Sequence, residues 1–309
     1  MRLRLVIILL VILLQGCALL KQKEKVPPQK TVVKQVVILV SEDIPAYSEV
    51  ARALAKQLAK RGSVIYLSDD QIDNTKILAA HRNDENKQFV SIGLNAAVAA
   101  KSLNNRQVVF CQVFNYQDFE LISSRHKGVS MMPSMSRTFS TWKALAPNIT
   151  DIGVISGPGF EDMIQTARTA AGSFGIRLHH EAVNSDKEYL YAFKQMAETV
   201  QGFWLVPDNR VLSGNLLRDV MTFSVRNSKQ VAVYSDELLN LGGLFSTVSD
   251  NQDIALHVLD RLEQAQNKET IPGPDIVYLD KMNLRINSVM AQRLNLEIPE
   301  QYRKYESTP

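Results

Sequence analysis

Two α/β lobes, each a doubly wound parallel sheet, with a cleft between them, are the architecture that this 309-residue sequence predicts. Three observations predict it. Short β-branched runs alternate with helical patterns from Val36 onward, lapse through an irregular stretch around 114–134, and then begin again. Runs such as Val36-Val37-Ile38-Leu39-Val40 are apolar on both faces, as strands of a sheet covered by helices on each side must be. The segments between them repeat apolar residues at spacings of three and four, the signature of a helix with one buried face.

The first series opens with the strand 36–40. Tyr47, Val50, Ala51, Leu54 and Leu58 then line one helical face while Arg52, Lys56 and Lys60 take the other, and Gly62 is expected to end the helix. Val64-Ile65-Tyr66-Leu67 is the next strand. Phe89-Val90-Ser91-Ile92-Gly93 leads into the helical Ala96–Ala100, and the run 107–113 closes the series.

The second series opens with Asp151–Ser156, a strand, and Gly157-Pro158-Gly159, a turn. Met163, Ile164, Ala167, Ala171 and Phe174 mark a helix that Gly175 breaks before the strand 176–178. Leu190, Phe193, Ala197 and Val200 mark another, followed by the strand Phe203–Val206, which ends at Pro207-Asp208-Asn209. Strands at 231–234 and 243–248 follow, then a helix carrying Ile254, Ala255, Val258, Leu259 and Leu262. A last strand is expected over 276–279 and a short helix over 287–294. In open α/β sheets ligands gather at loops leaving the carboxyl ends of the strands, so two facing lobes nominate a cleft that binds a ligand.

Composition narrows the function. Apolar residues at 45% and charged residues at 22% fall in the globular range. The net charge of +3 includes Arg2 and Arg4, so without the leader the chain is near neutral and offers no field to steer a nucleic acid. Two cysteines exclude a disulfide scaffold.

Arg2 and Arg4 precede an unbroken apolar run from Leu5 to Leu14, followed by Gln15-Gly16-Cys17. This is the layout of a secretory signal. Its apolar run would rise about 15 Å as a helix, half a bilayer core, too short for a permanent span. Leu14-Gln15-Gly16-Cys17 resembles the bacterial lipobox, in which the cysteine is diacylated and becomes the first mature residue. The resemblance makes 1–16 a lipoprotein signal peptide and Cys17 the lipidation site, anchoring a periplasm-facing chain. Ala18 in place of Asp implies the outer membrane. Residues 17–34, lysine-rich with a Pro-Pro pair, read as a solvated tether. Cys111, inside an apolar strand-like run, reads as a buried small hydrophobe.

Spread over the rest of the chain are segments similar to those of ABC transporter substrate-binding lipoproteins, the tryptophan/tyrosine-type binding proteins. They are Gly128-Val129-Ser130 with Trp142–Ile149, Ile152–Gly159, Phe174-Gly175-Ile176, Leu205–Asn209, Gly243–Ser246 and Leu294–Pro299. The resemblance implies a type I periplasmic binding fold with a hinge, the chain crossing between lobes three times. On that pattern 35–118 and 250–270 make the first lobe, and 119–249 and 271–309 the second. It implies a small organic ligand, an amino acid or a relative of one, held between the lobes and passed to a separate permease or sensor. No catalysis or cofactor is implied. The chain departs from the pattern at Gly93-Leu94-Asn95, at Phe114–Gln117 (no acidic residue) and at Ser249-Asp250-Asn251. These departures motivate an alternative, an envelope sensor or assembly lipoprotein with a degenerate cleft.

The candidate ligand-binding residues are Tyr47, Asn95, Asn115, Tyr116, Asp208, Asn209 and Asp236. Asp208 could pair a ligand ammonium and Asn209 a carboxylate or amide, or the two could cap a helix. Asn95 serves as a ligand amide or as a turn former, and Asn115 with Tyr116 offers an amide and an aromatic face. Tyr47 lies at a helix start on its core-facing side; Asp236 faces the cleft or caps. Ser140-Thr141-Trp142-Lys143 and Ser249-Asp250-Asn251 match two serine-hydrolase fragments, but the K-[ST]-G strand such enzymes need is missing. His179 and His180 are adjacent on a strand and point to opposite faces, so no joint metal site is expected.

Overall fold

The computed structural model describes residues 34–67 and 71–308. The leader, most of the tether and Cys17 lie outside the described residues. Strand β1 (Gln35–Val40), helix α1 (Pro45–Leu58), β2 (Gly62–Tyr66), α2 (Gln71–His81), β3 (Lys87–Ile92), α3 (Leu94–Ala100), β4 (Val108–Cys111) and β5 (His126–Val129) come first. The second series is α4 (Met135–Leu145), β6 (Asp151–Ser156), α5 (Glu161–Gly172), β7 (Arg177–Ala182), α6 (Asp186–Ala197), β8 (Gly202–Trp204), α7 (Gly214–Arg226), β9 (Gln230–Val233) and β10 (Phe245–Ser249). The chain ends with α8 (Asn251–Gln264), β11 (Ile276–Val277), β12 (Met282–Asn287), α9 (Ser288–Arg293) and β13 (Glu306–Ser307).

These strands form two sheets. The first has the order β11-β5-β4-β3-β1-β2 and is parallel throughout; the second runs β13-β12-β10-β9-β8-β6-β7. Among the described residues only the β10–β12 pair is antiparallel. The chain passes between sheets after β5, after β10 and after β11, three crossings in all.

Two expectations are corrected. Residues 119–130 and 271–279 were expected in the second lobe, but β5 and β11 join the first sheet, Ile276 lying opposite Gly128. The reason is physical: β5 covers the flank of β4 that would otherwise stay open, and buried Arg261 of α8 bonds both Gly128 and Pro274 carbonyls. The last strand is also shorter than expected, and β12 follows it where no strand was expected.

Helical spacing places the core as the sequence predicts. Val50, Leu54 and Leu58 of α1 and Ile254, Val258 and Leu262 of α8 pack on Val36, Ile38 and Val40. Helix α1 ends at Leu58 rather than at Gly62, because Ala59 takes a left-handed φ of 49° and Gly62 opens β2. In the second lobe Phe139 and Trp142 of α4 pack with Ile152, Trp204 and Phe245. Cys111 is buried, and burial pushes its thiol up to about 12, the inert state expected of it.

Candidate functional site

Carboxyl ends of strands from both sheets converge on one seam. From the first sheet come the loops after β1, β3 and β4; from the second come the loops after β6, β8 and β9. The crossings are tied at its edge: Ser249 Oγ donates to the Met131 carbonyl, and Asp253 accepts the Asp280 and Lys281 amides at 2.9 and 3.0 Å. Asp250 caps α8 through the Gln252 and Asp253 amides, which accounts for Ser249-Asp250-Asn251 as a hinge cap.

Part of the seam is an open groove of about 480 Å³. Tyr47, Leu94, Gln112, Asn115 and Met131 line it from one side, and Pro207, Asn209, Leu212 and Tyr234 from the other. Among the described residues, none of those lining it is charged. Burial raises the phenol pKa values of Tyr47 and Tyr234, helped at Tyr47 by nearby Glu42, so both hydroxyls stay protonated donors at neutral pH.

Tyr47 keeps its place because Gly93 leaves room for it. Gly93 has φ +84°, and a Cβ there would fall 2.7 Å from Ser41 Oγ and 2.7 Å from the Tyr47 ring. Ser41 Oγ is already committed, accepting the Ala96 amide at 2.8 Å. Gly93→Ala is therefore expected to cost about 1–3 kcal/mol in a urea titration and to displace Tyr47 from the groove. A stability unchanged within about 0.5 kcal/mol would show that the loop relaxes freely.

The other part of the seam is filled. Phe114 and Phe160 meet across it with ring centroids 4.4 Å apart and planes tilted by 37°, and the Arg210 guanidinium lies 4.9 Å over the Phe160 ring. Arg210 Nε and Nη2 donate to Asp208 Oδ1 and Oδ2, both at 2.8 Å, while Nη1 donates to Asp118 Oδ2 at 2.6 Å. Nη2 also donates to the Pro158 carbonyl at 3.1 Å, and the Gly157 amide donates to Asp208 Oδ2 at 2.7 Å. Burial pushes the Asp208 carboxyl up, but the hydrogen bonds from Arg210 and Gly157 outweigh it and hold the group below its ordinary value.

The expected site residues therefore divide. Tyr47, Asn115 and Asn209 line the groove together. Asp208 does not: it is 3% exposed and its oxygens face Arg210 and Gly157 rather than open space. Asn95 is exposed on α3 outside the groove lining. Tyr116 lies outside the groove lining: its ring is 5.9 Å from that of Phe110, and it borders a small pocket with Phe160 and Met163. Asp236 accepts Ser246 Oγ at 2.5 Å and pairs with Arg285 at 3.0 Å, so it braces β10 and β12. Missing from the expectations were Arg210, Asp118, Gln112 and Tyr234. The acid absent from Phe114–Gln117 stands one residue later, at Asp118.

The hydrolase fragment is taken apart by its own bonds. Ser140 Oγ donates to the Arg137 carbonyl and Lys143 Nζ to the Ile149 carbonyl. His179 bonds Asp151 at 2.7 Å and His180 bonds Ser156 at 2.9 Å, on opposite faces of β7. Among the described residues no cluster of three His, Cys, Asp or Glu could hold a metal ion.

A family model described as "ABC transporter substrate binding protein" matches residues 35–308. The chain belongs to that family. It is a family of substrate-binding proteins rather than of enzymes. Comparison with curated proteins gives no match. Among solved structures, this family member is similar to an ABC domain from Streptococcus pneumonia in complex with L-Trp, at 20% identity and a TM-score of 0.57. That likeness covers 88% of this chain and 99% of the other. It is similar to a conserved domain protein from Vibrio cholerae at 19% identity, with a TM-score of 0.57 and coverage of 89% and 99%. An open, ligand-free substrate-binding protein with adhesive properties from Clostridium difficile gives 16% identity, a TM-score of 0.62 and coverage of 89% and 98%. At these identities the likeness establishes the fold, the two-lobed type I periplasmic binding architecture. Among the described residues no helix is long and apolar enough to cross a membrane.

Proposed function

We propose that this substrate-binding protein is lipid-anchored at Cys17, faces the periplasm from the outer membrane, and captures an uncharged small organic molecule in the interlobe groove for delivery to a separate permease. The observation that carries the ligand class is the lining: two phenols, three amides and apolar side chains, with no free charge. Such a surface orients a ligand through hydroxyl and amide hydrogen bonds and gains most of its affinity from apolar contact. An amino acid would bring an ammonium and a carboxylate, and desolvating either without a charged partner is costly. The carboxylate that the sequence offers to an ammonium, Asp208, lies outside the lining and is paired with Arg210. The Streptococcus structure holds L-Trp, so a zwitterionic amino acid is the competing occupant that the test must separate.

That test is a thermal-stability screen pairing each amino acid with a neutral analogue of the same side chain. A groove ligand present at 100 times its dissociation constant adds about 2.7 kcal/mol of stability. Neutral compounds are expected to stabilise, and stabilisation by the zwitterions alone would overturn the ligand class. The anchor is tested separately: Cys17→Ala should move the protein from the membrane fraction to the soluble one, and retention in the membrane fraction would refute lipidation as the anchor.

The filled part of the seam supports a second reading, an envelope sensor or assembly protein in which closure rather than cargo matters. It predicts that no small molecule shifts stability and that a protein partner recognises the closed form.

A further inference from the structure

Arg210 joins the two lobes using groups that the chain itself supplies. Its fork to Asp208 fixes the guanidinium within the second lobe, with two bonds of 2.8 Å and a third contact to the Pro158 carbonyl at 3.1 Å. The remaining donor, Nη1, points out of that lobe and meets Asp118 of the first at 2.6 Å. The backbone is shaped around this arrangement. A Cβ at Gly157 would fall 2.8 Å from Arg210 Nη2 and 2.9 Å from Asp208 Oδ2. On the facing loop the Asp118 amide bonds the Asn115 carbonyl at 3.3 Å, and Asn115 Nδ2 reaches Asp118 Oδ2 at 3.4 Å. Phe114 and Phe160 meet across the same line.

We propose that Arg210 and Asp118 form a latch that holds the lobes closed through the chain's own groups. An ordinary surface ion pair contributes little, because two long side chains must be ordered to make it. Here Asp208 and Phe160 have already ordered Arg210 and dried one face of it, so closing the lobes immobilises only Asp118. Arg210 is 25% exposed and Asp118 36%, which leaves the pair partly screened and openable. The latch then sets the fraction of molecules open to an entering ligand, and a closed-biased equilibrium lowers apparent affinity by that fraction. The inference does not depend on which molecule the groove takes.

The test measures interlobe distance in the full chain without added ligand. Spin labels carried on p-acetylphenylalanine replace exposed Val98 of α3 and exposed Tyr191 of α6, one on each lobe. Electron double resonance then gives the distance distribution. Wild type is expected to show one dominant short distance. Asp118→Asn, which keeps the side chain's size at a position 36% exposed, should lower the closed-to-open ratio at least tenfold. In an Arg210→Lys background, which keeps the charge but loses the fork, Asp118→Asn should have a smaller effect than in wild type. A distribution unchanged by Asp118→Asn would overturn the latch. So would a wild type that is already broad or long in distance.

Discussion

Arg210→Met is expected to cost about 3 kcal/mol of stability at neutral pH, because it strands the Asp208 carboxylate, 3% exposed, without its cation. Methionine keeps much of the packing on Phe160, so the loss reports the missing charge and hydrogen bonds rather than volume. Only the Gly157 amide then remains on the carboxylate from outside its own loop.

The pH dependence has a definite sign. In the wild type Asp208 is held below its ordinary value, so its contribution is complete above the unfolded carboxyl pKa of about 3.9 and disappears as pH falls through the lower folded value. In Arg210→Met burial is the dominant influence left and it acts upward. The variant's penalty therefore grows as pH rises above about 4, until the carboxyl is ionised in both states. Urea titrations at pH 3 and pH 7 should show the two proteins close together in acid and well apart at neutrality. Equal gaps at both values would mean that Arg210 matters for packing alone.

Trp142→Ala is expected to be at least as damaging, at about 3–5 kcal/mol. Trp142 is fully buried on α4, with its ring edge-on to Phe245 at 5.4 Å. Its Nε1–H donates to Gln230 Oε1 at 2.7 Å. Truncation leaves a cavity between α4 and the second sheet and an amide oxygen without its donor, a further cost of about 1 kcal/mol. Trp142→Phe retains the ring contact and should lose markedly less. Urea denaturation followed by circular dichroism measures both, and a loss below about 1 kcal/mol for alanine would show that the lobe repacks around the gap.

How much of this was legible in the sequence follows from where each residue sits. β1 and α1 could be read because a strand covered on both faces and a helix with one buried face leave periods that nothing else produces. β5 could not, since His126-Lys127-Gly128-Val129 has a single β-branched residue and is held by its neighbours and by Arg261. β12 carries a period of two, with Met282, Leu284 and Ile286 more buried than Asn283 and Arg285. That alternation is legible, but a half-exposed antiparallel strand departs from the parallel pattern that the rest of the chain sets.

At the site, strand-end spacing pointed to the loops bearing Tyr47, Asn115 and Asn209, which line one groove. What it could not give was the direction of the Asp208 carboxylate. That is decided by Arg210 two residues on, which also reaches Asp118, 92 positions from Arg210 in sequence, and by the Gly157 amide. A cleft arginine and a surface arginine look alike until the fold brings their partners together.

Titration calorimetry on wild type and Tyr47→Ala, using matched amino acids and their analogues without the charged head group, tests the central claim most directly. The account predicts that a neutral analogue binds wild type, that its amino acid binds more weakly, and that Tyr47→Ala loses at least tenfold in affinity. Tight binding of the amino acid with none of its neutral analogue, or binding indifferent to Tyr47, would contradict it.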